Sequence, residues 1–134
     1  MAVLAADTRH VDTGMYAALD AATTTPVYRT PPSGAAYPLT RFICISETDS
    51  YVLAGRAWGR FIYQIDTWAK SGSAVAAQDI AGNIAAALMT TKPTVTGGRV
   101  TYCRREQRRE TDPTTDGIQY QRVSEDWAIE VIPT

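Results

Sequence analysis

Along this chain the spacing of apolar positions switches between a helical period and a period of two, and each switch marks an element. Between residues 7 and 22, Val11, Met15, Ala18, Leu19 and Ala22 recur on one helical face, with Asp7 or Thr8 placed to cap the start. Thr23, Thr24, Thr25 and Pro26 end that helix, because β-branched residues and then a proline ring cannot extend it. A short extended piece, Val27 to Arg29, leads into a TPPSGAAYP loop. Residues 39 to 47, LTRFICISE, are nearly continuously apolar and predict a central strand. The next segment, DSYVLAGRAWG, is polar and glycine-punctuated, so it reads as a hairpin connection or a mobile loop. Alternation then returns over 60 to 68: Phe61, Tyr63 and Ile65 on one face, Ile62, Gln64, Asp66 and Trp68 on the other. The first face suits helices, and the second suits a neighbouring molecule.

A second helix is expected over roughly 73 to 90, aligning Ala77, Ile80, Ala81, Ile84 and Leu88, with Ser71 or Ser73 as cap. Its alanines permit close packing of helix on sheet. Pro93 and Gly97-Gly98 close the segment. Strands at 99 to 106 and 119 to 132 then flank RRETDPTTDG as a long hairpin with a polar, mobile tip. In the last strand Val123, Trp127, Ile129 and Val131 share one face, and Arg122, Asp126 and Glu130 the other. The order α, β, β, β, α, β, β predicts an α+β fold: a mostly antiparallel sheet with two helices packed on one face and a long C-terminal β-hairpin. At 134 residues, 1–134 reads as a single domain.

Composition changes this picture little. A net charge of −1 argues against a surface that attracts nucleic acid or acidic membranes as a whole, without excluding a local patch. Arginine outnumbers lysine eleven to two, which fits either a GC-rich genome or a surface built for bidentate contacts with carboxylates. Cys44 and Cys103 sit in strand-like runs and lack CxxC spacing, so they read as free, buried thiols and not as a zinc site. The N-terminal residues show no basic and then apolar pattern of a secretory signal, and the helix near 74–89 is too interrupted to span a bilayer. A cytosol-like compartment, or a particle assembled there, is expected.

Candidate chemistry is sparse. The one histidine, His10, reads as a packed or exposed helix residue, and no glycine-rich phosphate cradle is present. Asp66 with Asp126 or Glu130 would make a carboxylate pair if their strands adjoin, though exposed sheet-face charges are the commoner outcome. No catalytic residue, cofactor or metal is assigned. The strongest anomaly is the charged hairpin: Arg104, Arg105, Arg108 and Arg109 alternate with Glu106 and Glu110, and Asp112 and Asp116 follow in the tip. Four arginines against four carboxylates nearly cancel. A solvated arm, an arm pairing with a neighbouring subunit and a nucleic-acid contact all remain open. The candidate interaction residues are therefore Arg104, Arg105, Arg108, Arg109, Glu110, Asp112 and Asp116 in the hairpin, with Tyr51, Leu53, Arg56 and Trp58 in the 48–58 loop. Loss of the four hairpin arginines is expected to weaken assembly without unfolding the domain.

Several segments together resemble the tail terminator, or tail completion, proteins of long-tailed bacteriophages and phage-like particles. They are the VYR strand with TPPSGAAYPLTRFICIS, the run FIYQIDTWAKSGSAVAAQDIAGNIAAAL, and the closing YQRVSEDWAIEVI. The most specific piece is Ile65-Asp66-Thr67-Trp68-Ala69 ahead of the alanine-rich helix, and the resemblance spans roughly residues 10 to 132. It implies a non-enzymatic virion protein that forms a hexameric ring, caps the tail tube, ends its polymerisation and presents a head-joining surface. The implied partners are other copies of the chain, the major tail tube protein and a head-closure or connector protein. DNA would pass through the ring without sequence-specific binding, and no membrane is involved. The implied location is the head-proximal end of the tail, after assembly in the host cytoplasm. A head-closure protein, or a nucleic-acid-binding or adaptor module, is the alternative, and a small carboxylate-dependent hydrolase or cyclase is a third.

Overall fold

The structure, a computed structural model, describes residues 8–133 apart from 53 and 54, with the backbone alone at 8, 50–52, 55–58 and 133. Asp7, one of the two expected caps, lies outside the described residues. Helix α1 (Thr8–Ala22) buries Val11, Met15 and Leu19, the stripe that its apolar spacing predicts. Strand β1 (Val27–Tyr28) then pairs in parallel with the start of β2 (Leu39–Val52). Strand β3 (Gly55–Lys70) follows β2 antiparallel, and helix α2 (Ala77–Thr90) crosses back over the sheet. The C-terminal half is β4 (Gly98–Thr111), a two-residue β5 (Thr114–Thr115) and β6 (Ile118–Pro133). The strand order is β1-β2-β3-β6-β4, with β5 on β6, and every pairing except β1 with β2 is antiparallel. This is the expected α+β arrangement.

Both helices lie on one face of the sheet. Val11, Met15 and Leu19 of α1 and Ile80, Ile84 and Leu88 of α2 join one core with Phe42, Phe61, Tyr63, Ile65, Trp127, Ile129 and Val131. A single glycine permits the helix layer to close. A Cβ on Gly14 would stand 2.4 Å from the carbonyl oxygen of Thr94, so the strap that follows α2 can touch α1 only at a residue without a side chain.

Four expectations are corrected. The apolar run of β2 does not mark a central strand: β3 and β6 hold the centre. Beyond Arg41 the outer side of β2 has no strand partner among the described residues. The run is continuous because Ile43 and Ile45 stay partly in solvent, at 39% and 51% exposure, while Phe42 is buried. Of the two readings of the 48–58 segment the loop is the one corrected and the hairpin holds: residues 48–52 and 55–58 continue β2 and β3 as an arm, with Tyr51 opposite Arg56 and Val52 opposite Gly55. Helix α2 starts at Ala77, not near 73, and no serine caps it. Gly72, at φ +82°, instead turns the chain off β3, and the side-chain oxygen of Gln121 on β6 accepts the Ala77 N–H at 3.3 Å. Finally, the charged C-terminal hairpin is strand through to Thr111, and a two-residue Asp116-Gly117 turn closes it, both residues at positive φ.

Candidate functional site

The charged strand β4 lies flat along β6 over its whole length, and an irregularity at Glu106 decides where its arginines go. Arg105 stands opposite Trp127 and Gln107 opposite Asp126, so Glu106 is an extra residue in β4. The shift puts Arg105 and Arg108, three apart in sequence, on the helix-covered face together. There they converge on Glu125, which is only 2% exposed: Arg105 Nη1 donates to Oε2 at 3.1 Å and Arg108 Nε lies 3.8 Å from it. The indole N–H of Trp127 donates to the other carboxylate oxygen at 3.0 Å. A buried carboxylate thus has three donors around it, as burial of a charge demands. Arg108 also reaches Glu110 at 3.5 Å. Two of the four hairpin arginines, Arg105 and Arg108, thus also close an internal charge.

The opposite, bare face carries a cross-strand lattice. Arg60 on β3 binds Glu106 at 2.5 Å and Glu130 at 3.4 Å, and its guanidinium lies 5.9 Å from the centre of the Tyr102 ring. Gln107, with its amide turned to satisfy both neighbours, donates to Asp126 and accepts from Arg109, each at 3.1 Å. Gln64 donates to Ser124 at 3.1 Å. Toward the far end, Arg122 binds Asp66 at 2.9 Å while stacking 5.2 Å over Trp68. Tyr120 and Tyr37 extend that aromatic group, with ring centres 4.9 Å apart. Asp66, Asp126 and Glu130 do not form an acid/base pair. Asp66 and Glu130 are held by guanidiniums and Asp126 by an amide, and Asp66 stands opposite Ser124.

Of the remaining candidate contact residues, Arg104 faces out opposite Ala128, and Asp112 and Asp116 sit exposed around the turn. Tyr51, Arg56 and Trp58 have strand backbone in the β2–β3 arm, their side chains lying outside the described residues. Leu53 lies outside the described residues altogether. Sequence reasoning missed Glu125. A signal was present: among the odd positions Val123, Trp127, Ile129 and Val131, position 125 is the acidic gap. It also missed Arg60, whose partners are forty-six and seventy residues away.

On the covered face, Tyr63 donates to Asp12 of α1, which Arg29 also binds at 3.0 Å. Burial, and then the bond to Asp12, push the Tyr63 hydroxyl well above its ordinary range. Burial likewise raises both thiols, Cys103 to about 11, so neither is a ready nucleophile at neutral pH. Cys44 on β2 and Cys103 on β4 are separated by β3 and β6, about 14 Å at the usual strand spacing, too far to be joined within one chain. An apolar groove of about 640 Å³ runs between the helices, lined by Ala17, Ala21, Ala86, Ala87 and Pro93. The alanines of α2 thus divide: Ala77, Ala81 and Ala85 pack toward the sheet, and Ala86 and Ala87 line this groove. Among the described residues no group of three or more potential ligands is placed to hold a metal, and no helix is long and apolar enough to cross a membrane.

The sheet has one face covered by helices and one carrying ion pairs, and among the described residues the outer side of β4 and that of β2 beyond Arg41 carry no further strand. The family model described as tail completion protein gp17 matches residues 14–124, and the chain belongs to that family. It is a structural component of a virion tail. Its fold is similar to that of a chain in the solved virion of a native gene transfer agent particle, with a TM-score of 0.70 over 92% of this chain and 96% of that one. The two are 16% identical, a level at which the likeness concerns the fold. No curated protein matches the chain.

Proposed function

We propose that this protein closes the head-proximal end of a phage-type tail tube as a ring, stops tube growth there and offers the surface that receives the head. The observation that carries this reading is the pair of open sheet edges. The four long strands alternate in direction across β2-β3-β6-β4, so the two outer strands run antiparallel to each other. The β4 edge of one copy therefore meets the β2 edge of the next with the polarity that an antiparallel ladder needs. Such a contact joins two different patches, and it closes when the rotation per copy divides a full turn. The exposed Arg104 and Arg109 stand on the bare side of the outer strand β4 and offer charge to the strand that meets this edge. Open edges of this length are otherwise an aggregation hazard, and a ring removes them.

The helices lie on one face alone, so a closed ring has a thick layer and a thin one. The thick helix layer takes the larger outer circumference, and the bare face turns toward the axis. Six copies, a tube protein on one side and a head-closure protein on the other are what the family resemblance implies. The β2–β3 arm and the β4–β6 turn leave the sheet at opposite ends, which gives the ring two unlike surfaces.

The test is tube length. Purified tube subunits polymerised with the wild-type protein should stop at capped ends visible by electron microscopy. With Arg104→Glu and Arg109→Glu together, rings should be lost and tubes should overgrow, while the circular dichroism spectrum is kept. Normal capping by that variant would refute edge pairing.

A further inference from the structure

The two-residue strand β1 stands on the same side of the sheet as the edge at which the next copy would join. It pairs with Thr40 and Arg41 alone, so among the described residues the outer side of β2 is open from Phe42 to Val52. The short strand is firmly held: the Thr40 N–H donates to Pro26 at 2.9 Å, Val27 is buried in the core, and Arg29 just beyond binds Asp12 of α1 at 3.0 Å. An incoming strand cannot displace it cheaply. The edge it would meet, β4, is open over Gly98–Thr111, and Pro113 beyond lacks the N–H that a further ladder bond needs. Level joining is barred. Across the sheet Thr40 is level with Glu110, through Thr67 and Val123, and Arg41 with Arg109, through Asp66 and Ser124. Copies joined without stagger would therefore drive Arg109 and Glu110 onto β1.

We propose that β1 is a register stop for assembly: the β4 strand of one copy lies along residues 42–52 of the next copy's β2, with its Thr111 end resting against β1. This rests on the ring reading, in which those two edges meet. The first register that clears β1 and keeps every side chain on its own face sets Thr111 opposite Ile43 and Glu110 opposite Cys44. Arg108 and Arg105, on the helix side of β4, then pass Glu47 and Asp49 on the helix side of β2. Opposite charges thus face each other across the joint, although all four are also engaged within their own chain. A closed sheet needs a stagger of this kind from copy to copy, because strand number, stagger and tilt are linked. Two residues at one edge then set the angle at which copies join.

The test uses the native thiol of Cys44. Glu110→Cys with Cys103→Ala leaves thiols at positions 44 and 110 alone. Within one chain β3 and β6 separate those positions by about 14 Å at the usual strand spacing, so a bond between them joins two copies. Rings formed on tube ends are oxidised with copper phenanthroline and run on a non-reducing gel, and the joined peptides are identified by mass spectrometry. Wild type, with Cys44 and Cys103, is the comparison. In the stopped register Cys103 stands opposite Tyr51, about six residues or roughly 20 Å along the strand from Cys44. The variant should give a ladder of covalent oligomers, at least about tenfold more than wild type, since a disulfide tolerates only a narrow range of separations. Should the double variant melt early, Glu110→Cys alone serves, with the joined positions read from the peptides. Variant rings that stay unlinked, or wild-type rings linked through Cys103 to the same extent, would overturn the register stop and leave the ring standing. Wild type that leaves tube ends uncapped would instead overturn the ring reading, and the register stop with it.

Discussion

The two faces of the sheet are built from the same strands by opposite means. On the covered face Phe42, Phe61, Tyr63, Trp127, Ile129 and Val131 are all fully buried, and shape fills the space. On the bare face the alternate residues of the same strands include guanidiniums, carboxylates, amides and aromatic rings in pairs, beside Ile43, Ile62 and Ala128. A large apolar side chain buried from water contributes roughly 1.5–3 kcal/mol, whereas an exposed ion pair is worth about 0–1 kcal/mol. The covered face therefore holds the fold, and the bare face is at liberty to be selected for what it meets. If that division is right, equal truncations on the two faces have unequal costs.

The largest difference should come from the two tryptophans. Trp127→Ala empties a fully buried site and takes a donor from Glu125, so a loss of about 3–5 kcal/mol is expected in urea unfolding. Trp68→Ala removes a half-buried ring from Arg122 and Tyr120 and should cost about 1–2 kcal/mol. Equal costs would mean that the bare face is a second core, and would remove it as a candidate surface.

Next comes the charged strand, where one tract serves both faces. Arg105→Ala with Arg108→Ala leaves Glu125 buried with the Trp127 indole as its remaining donor. Since both arginines are about one-third exposed and water screens part of the interaction, a cost of about 2–3 kcal/mol is expected. Adding Glu125→Gln should restore much of that loss, because a neutral amide needs no counter-charge. Absence of rescue would mean that the arginines act through packing of their stems.

These two cases also show what the sequence makes legible. Alternation and helical spacing report burial, so the core of both helices and of β3 and β6 can be read from Val11, Met15, Leu19, Ile84, Phe61 and Trp127. Period alone does not report which strand lies at an edge. The apolar run of β2 looks central because Ile43 and Ile45 interrupt no pattern, although only a two-residue β1 lies beyond it. Nor does a period survive an inserted residue. Past Glu106 the parity of β4 reverses, and the sorting of Arg105 and Arg108 from Arg104 and Arg109 becomes visible only in the register with β6. Helix capping fails for a related reason: the group that meets the Ala77 N–H is Gln121, forty-four residues away.

Alkaline pH probes the covered face in a smaller way. The Cys103 thiol is raised from 9.0 to about 11, and the Tyr63 hydroxyl is raised above its usual 10, both chiefly by burial. The native state therefore holds these protons more tightly than the unfolded chain does. The Cys103 contribution is complete below pH 9 and is lost as pH climbs through about 11, whereas that of Tyr63 is complete up to its usual 10 and declines only above it. Unfolding free energy should be level up to pH 9 and decline above it, and Cys103→Ala should flatten the decline between 9 and 11. At neutral pH, Tyr63→Phe removes a donor from the buried Asp12 and should cost about 1–2 kcal/mol. A decline that begins below pH 8 would assign the effect to other groups.

The smallest expected change in stability is also the one that bears most on assembly. Arg104 is exposed, faces away from the helices and has no carboxylate partner among the described residues, so Arg104→Ala should alter stability by less than about 0.5 kcal/mol. Its place on the outer strand β4, facing away from the helices, makes it a contact for the next copy under the proposed ring. Arg104→Ala should therefore leave the melting curve in place and lower ring formation in sedimentation velocity, most at low salt, where an exposed charge pair counts most. Unchanged ring formation by Arg104→Ala would move the interface off this edge. A large loss of stability from Arg104→Ala would show that the bare face supports the fold after all.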